Sequence, residues 1–176
     1  MLYDEHSASL ATRLETPRIL PRPYRGVMDL QALIDRAEIT DLLTRYARAV
    51  DRQDWELFRS VFTPDARIDY TQVGGIAGNL DEVVGFLSEV MAMFEAMQHL
   101  ISNIDITVEG DDAKVTAMVY NPLKLPDTPM WATGGWYHHE LVRTADGWRS
   151  RSLVEEASWF DGVPEPAKPA GQDSSG

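Results

Sequence analysis

Near residue 98 the spacing of apolar residues changes from a helical to an extended period, and that switch limits the chain to few architectures. Before it, Leu30, Leu33, Ile34, Ala37, Ile39, Leu42, Leu43, Tyr46, Ala47 and Val50 recur at three- and four-residue steps. This predicts an amphipathic helix of about six turns. Asp54 precedes Trp55, Leu57, Phe58, Val61 and Phe62 as the cap of a short second helix, which Pro64 stops. Residues 65–71 read as a short strand. Asn79 with Glu82 three residues on is a capping box. It opens a third helix reaching Met97, with Val83, Phe86, Leu87, Val90, Phe94 and Met97 on its buried face. Beyond it, residues 99–108, 113–121, 131–144 and 148–160 follow a period near two and are rich in Ile, Val, Thr and aromatics. Gly110-Asp111-Asp112 and Asp146-Gly147 are hairpin turns between them. Helices first and a meander last predict an α+β fold. Its N-terminal helices pack on a strongly curved, mostly antiparallel sheet, giving a cone-shaped α+β barrel with an interior.

The period is confined to residues 29–160, which read as one domain. Residues 1–28 carry Pro17, Pro21 and Pro23 among scattered arginines and read as an arm. Residues 161–176, with Pro164, Pro166, Pro169 and a Ser-Ser-Gly end, read as a disordered tail. Sixteen Lys and Arg against 28 Asp and Glu leave a net charge of −12, which repels phosphate backbones and anionic membranes. Nucleic acid and membrane are therefore not expected partners. There is no cysteine, so disulfides, a thiolate nucleophile and Cys-ligated metal are excluded. That composition suits a reducing compartment, and no secretory signal is visible, so a cytoplasmic location is expected. The most apolar stretch, 83–97, is broken by Ser88, Glu89 and Glu95, far short of a membrane span.

Two residues stand out chemically. Asp51 follows Ala47, Leu43 and Ile39 at four-residue steps, so it ends the apolar face of the first helix and points inward. There it opposes the helix dipole and is partly desolvated, so it needs a compensating partner. Alternatively, Asp51 joins Asp54 in capping the next helix. His99 stands at the start of the first long strand; a carboxylate beside it would hold its tautomer and raise its basicity. Alternatively, it is a lone histidine hydrogen-bonded at a junction. Strict alternation puts His99 with Ile101, Asn103 and Asp105, opposite Leu100, Ile104 and Ile106. Either the strand bulges near Ser102-Asn103, or the pocket face is the mixed one. His138 and His139 project to opposite faces, so they do not share a metal, and no metal site is expected. Serine-hydrolase, dinucleotide and phosphate-loop patterns are absent. Gly74-Gly75-Ile76-Ala77-Gly78 reads as a mobile loop at a pocket mouth. Met91, Met93, Met97, Met118 and Met130 read as core filler or as an adaptable lining.

The stretch from Tyr46 through Asp51, Trp55 and Phe58 to Pro64-Asp65-Ala66-Arg67-Ile68-Asp69-Tyr70 resembles the opening of SnoaL-like domains of the nuclear transport factor 2-like superfamily. His99-Leu100-Ile101-Ser102-Asn103, Gly134-Gly135-Trp136-Tyr137 and Asp146-Gly147-Trp148-Arg149 resemble its strand signatures. Within it, the pattern is similar to the scytalone dehydratase and hexachlorocyclohexane dehydrochlorinase branch. That resemblance implies Asp51 and His99 as a catalytic pair, with Tyr70 helping to hold a water on a substrate carbonyl. Tyr46, Asn121, Tyr137, His139 and Glu155 are the candidate substrate-binding residues. Leu125, Leu153, Tyr137 and His139 depart from the branch's other functional positions, so its substrates are not carried over.

The resemblance implies a lyase or isomerase without cofactor, in which His99 abstracts a proton, Asp51 fixes its ring, and Tyr70 or Tyr137 polarises an oxygen. The expected substrate is small and hydrophobic, aromatic or polycyclic. Two rival readings share the fold: a non-catalytic binding or assembly protein, and an accessory subunit of an aromatic-ring dioxygenase. Outward residues such as Trp136 and Val142 are expected to form a homodimer face on the open side of the sheet.

Overall fold

The computed structural model describes residues 29–164; the arm expected at 1–28 and the tail beyond 164 lie outside the described residues. Asp29 caps α1 (Leu30–Asp51) by accepting from the Gln31 N–H at 3.1 Å, and Ile39, Leu42, Leu43, Tyr46, Ala49 and Val50 form its buried stripe. Gln53, at φ 54°, turns the chain. Asp54 then caps α2 (Trp55–Arg59), accepting from the Leu57 N–H at 3.0 Å. That helix is shorter than expected and does not reach Pro64. β1 (Phe62–Asp69) has already begun, because Phe62 pairs with Ser150 and the Val61 carbonyl accepts from the Ser150 N–H. Pro64 is tolerated in this strand because the register is broken between Phe62 and Arg67, where no ladder donor is required.

The glycine-rich 74–78 segment is loop only in part, and Gly74 and Gly75 line the cavity. A single 3-10 turn at Thr71–Val73 leads into Gly74 at φ 85°, and β2 (Ala77–Asn79) pairs with β1. A Cβ on Gly75 would lie 2.6 Å from the Tyr70 Cβ, so a side chain there would displace the turn from Tyr70. The capping box forms as expected at α3 (Leu80–Met91). Asn79 Oδ1 accepts from the Asp81 and Glu82 N–H groups at 3.0 Å each, and Glu82 accepts from the Asn79 N–H at 2.8 Å. The helix stops before Met97, because β3 (Ala96–Met97) pairs with Lys124 and Leu123. Sheet pairing at a distance overrides the continuing apolar period.

Four long strands complete the chain: β4 (Leu100–Glu109), β5 (Asp112–Lys124), β6 (Trp131–Thr144) and β7 (Gly147–Asp161). The sheet order is β2-β1-β7-β6-β5-β3, with β4 also paired to β5. Only β1 and β7 run parallel. β3 and β4 pair with successive stretches of β5, so they form one edge track broken at Gln98–His99. A bulge lies between Ser102 and Asp105, with Asn103 at φ 48°. It resolves the alternation conflict, since Ile101 faces the core before it, and Ile104 and Ile106 after it. His99 therefore shares the inward parity of Ile101.

The three helices cover the concave face of the bent sheet, an α+β cone as the change of period implies. The core joins the α1 stripe to Val115, Ala117 and Val119 of β5, Tyr137 and Leu141 of β6, and Leu153 of β7. Asp35 of α1, buried, accepts from Arg143 at 2.7 and 2.9 Å and from Trp148 Nε1 at 3.3 Å. The Arg143 guanidinium also lies 4.4 Å from the Trp148 ring. The Arg143 hydrogen bonds, against the cost of burial, bring the Asp35 carboxyl down to about 2. This cluster ties the start of α1 to the β6–β7 hairpin. Among the described residues no helix is long and apolar enough to cross a membrane.

Candidate active site

The break between β3 and β4 creates the site. Pairing with β5 resumes only at Leu100, so the ladder does not use the His99 N–H. That N–H donates instead to both carboxylate oxygens of Asp51, at 3.0 and 3.1 Å. The ring follows, with Nδ1 2.6 Å from Asp51 Oδ1. The carboxylate, ending α1, thus compensates a strand end that would otherwise leave a donor unpaired. Capping of α2 falls to Asp54, not to Asp51. A carboxylate acceptor makes Nδ1 the donor nitrogen and leaves Nε2 its lone pair. Nε2 lies 3.1 Å from Asn121 Nδ2, and the Oδ1 of that amide is buried with no partner among the described residues. His99 lines the cavity with its side chain 6% exposed, and Asp51 stands behind it.

A second polar group is built from aromatic residues. The Tyr46 and Tyr70 hydroxyls share a 2.8 Å hydrogen bond. The Tyr46 ring stands edge-on to His99 and Tyr137, at centroid distances of 6.5 and 5.3 Å. The Tyr137 hydroxyl has no hydrogen-bond partner among the described residues. Burial, reinforced by neighbouring phenols and by Glu155, pushes all three phenols well above their ordinary range, so they remain neutral donors. Glu155 of β7 is paired in register with Tyr137, and burial pushes its carboxyl up to about 7.

Between these groups lies a cavity walled mainly by Val50, Phe86, Leu87, Val90, Phe94 and Trp131. Its volume is about 120 Å³. A single buried water needs roughly 10–15 Å³, so the space suits an organic ligand. None of the lining residues is Lys or Arg. Among the described residues no three His, Asp or Glu side chains gather as a metal site would require.

Of the sequence-predicted residues, Asp51, His99 and Asn121 come together, and Tyr46, Tyr70, Tyr137 and Glu155 share the cavity with them. His139 does not. It is buried beside Ser150, with Nδ1 3.0 Å from the hydroxyl, and burial lowers its pKa to about 3. It is a neutral core histidine rather than part of the cavity wall. His138 faces the other way and pairs with Glu156 at 2.8 Å. Met91 is the one methionine among the lining residues. Sequence reasoning missed Thr133, the register partner of Asn121, and Trp131. Inward parity on β6 was the signal for Thr133.

Residues 31–154 match the family described as SnoaL-like domain. The chain belongs to the SnoaL-like domain family. An uncharacterized protein of Mycobacterium tuberculosis, Rv2910c, is 35% identical over 74% of this chain and 90% of its own. A Novosphingobium aromaticivorans structure, provisionally assigned as an aromatic ring hydroxylase, is 29% identical, with a TM-score of 0.69 over 74% of this chain and 94% of that one. The type-3 hexachlorocyclohexane dehydrochlorinase of Novosphingobium barchaimii is 20% identical with a TM-score of 0.67, over 83% and 99% of the two chains, a likeness of fold. In this SnoaL-like chain Leu153, one of the departures from the dehydratase and dehydrochlorinase pattern, is fully buried in the core. It has no part in the cavity wall.

Proposed function

We propose that this SnoaL-like protein is a cofactor-independent lyase or isomerase acting on a small hydrophobic substrate, with His99 as general base. The observation that carries this reading is the Asp51–His99 contact at the wall of a ligand-sized apolar cavity. Asp51 holds Nδ1–H, directs the Nε2 lone pair away from itself, and stabilises the imidazolium once the proton is taken. Nε2 is held by the Asn121 amide, so the substrate must take that place. The displaced amide is then free to donate to a substrate carbonyl. Tyr70 or Tyr137, both in the cavity wall, polarises a substrate oxygen. General-base help contributes ~10²- to 10⁴-fold. The same fold serves an enzyme named as a dehydrochlorinase, and elimination is one outcome of such an abstraction.

Two contacts favour a second reading. The Asn121 contact on Nε2 and the Tyr46–Tyr70 pair make the polar groups partly self-satisfied, as a non-catalytic binding protein would have them. A metabolite screen by mass spectrometry, with wild type beside Asp51→Asn and His99→Ala, separates the two. Turnover in wild type that both substitutions abolish is the expected result. Turnover surviving in both variants refutes the dyad, and a ligand bound unchanged by wild type favours the binding protein.

A further inference from the structure

Proton abstraction by His99 leaves one ionisable group of the cavity without a task. Glu155 is only 7% exposed, yet its carboxyl makes no hydrogen bond or ion pair among the described residues, and burial alone shifts its titration. Its oxygens are not among the sealed, partnerless polar atoms of the interior, so the carboxyl opens onto the cavity that it lines. A buried carboxyl with no partner is costly to keep, and nothing in its contacts returns that cost to the fold. Its neighbours are the phenols of Tyr46, Tyr70 and Tyr137, all neutral, and no cation lines the wall to hold it ionised.

We infer that Glu155 is the general acid of the site, protonating an oxygen that leaves as His99 takes the α-proton from an uncharged β-hydroxy or β-alkoxy carbonyl substrate. This rests on the reading of His99 as base. The α-carbon–hydrogen bond breaks toward Nε2, its electron pair forms the new carbon–carbon double bond, and the carbon–oxygen bond breaks. The departing oxygen takes the Glu155 proton and leaves as water or an alcohol. His99 is then an imidazolium and Glu155 a carboxylate, and proton exchange with solvent restores both. A carboxyl poised at about 7 carries its proton on a substantial share of molecules near neutrality. Halide leaves without a proton, so an acid at this position selects for oxygen leaving groups. With no Lys or Arg in the wall, phosphorylated or carboxylated substrates would meet Glu155 uncompensated.

The test uses the aldol of benzaldehyde and acetone, its methyl ether and its para-nitrophenyl ether, all of which eliminate to benzylideneacetone. Elimination by wild type and by His99→Ala is followed by absorbance. Glu155→Gln is expected to slow elimination of the alcohol and methyl ether by ~10²- to 10⁴-fold, and of the para-nitrophenyl ether by less than about tenfold. Glu155→Asp should keep the wild-type dependence on leaving group at a lower rate. Equal loss across the three compounds, or no loss for the alcohol, overturns the acid while leaving the base intact. Elimination that survives His99→Ala overturns the base and the acid with it.

Discussion

Replacing Glu155 by Gln should change how stability depends on pH, independently of any substrate. The carboxyl is pushed from 4.5 to about 7 on folding, by burial. At 1.36 kcal/mol per unit this corresponds to about 3 kcal/mol. The sign follows from proton binding. Below the unfolded value both states hold the proton, and the contribution is fully present. Between there and the folded value the native chain retains a proton that the unfolded chain releases, so stability falls as pH rises, then levels off above about 7. Gln does not ionise. Urea denaturation of both proteins at about pH 4.5, 6 and 8 should therefore show the variant gaining about 3 kcal/mol on wild type across the series. The phenols facing Glu155 stay neutral throughout, so they cancel in the difference. A difference flat to within about 0.5 kcal/mol would mean that cavity water hydrates the carboxylate, and would refute the argument from burial.

Asp51→Asn should lower stability by roughly 1–3 kcal/mol, because it weakens hydrogen bonds to a charged acceptor at both the backbone and the ring of His99. Chemical denaturation measures this, and NMR should show loss of the Nδ1–H signal. Tyr70→Phe should cost ~1–3 kcal/mol by leaving the buried Tyr46 hydroxyl unpaired, and adding Tyr46→Phe should recover most of it, a non-additivity that a double-mutant cycle reads directly. Asp35, held down to about 2 chiefly by Arg143, contributes stability present above its ordinary 3.8 and lost as pH falls through about 2. Asp35→Asn should flatten the acid limb of a thermal unfolding profile, and an unchanged limb would contradict the Arg143 pairing.

What the sequence made legible follows from what is local. The four-residue steps from Ile39 to Asp51 placed the carboxylate inward, because α1 is long and uninterrupted. Asn79 and Glu82 marked the start of α3 through contacts three residues apart. Its end was invisible. Val90 and Phe94 continue a helical period, and only pairing of Met97 with Leu123, far along the chain, draws the segment into the sheet. Pro64 read as a helix stop for the same reason, since its strand depends on Ser150. The Asp35–Arg143 pair spans 108 positions with no local signature. His139 entered through the family resemblance, and correspondence of position cannot say whether a side chain reaches the cavity or stops in the core around Leu153 and Ser150.

These long-range effects also explain why the site stands where it does. A continuous edge strand would have spent the His99 N–H on β5, leaving the imidazole no reason to turn toward α1. The early end of α3 and the short β3 interrupt that strand, and the freed N–H finds the carboxylate that α1 leaves unpaired at its own unfavourable terminus. Each defect answers the other: a helix end with an acid to satisfy, and a strand end with a donor to spare. The chemistry of the dyad is therefore coupled to the fold at a junction of two element ends. A substitution lengthening α3 through Met97 should uncouple His99 from Asp51 without touching either residue, since it removes the break on which their contact depends.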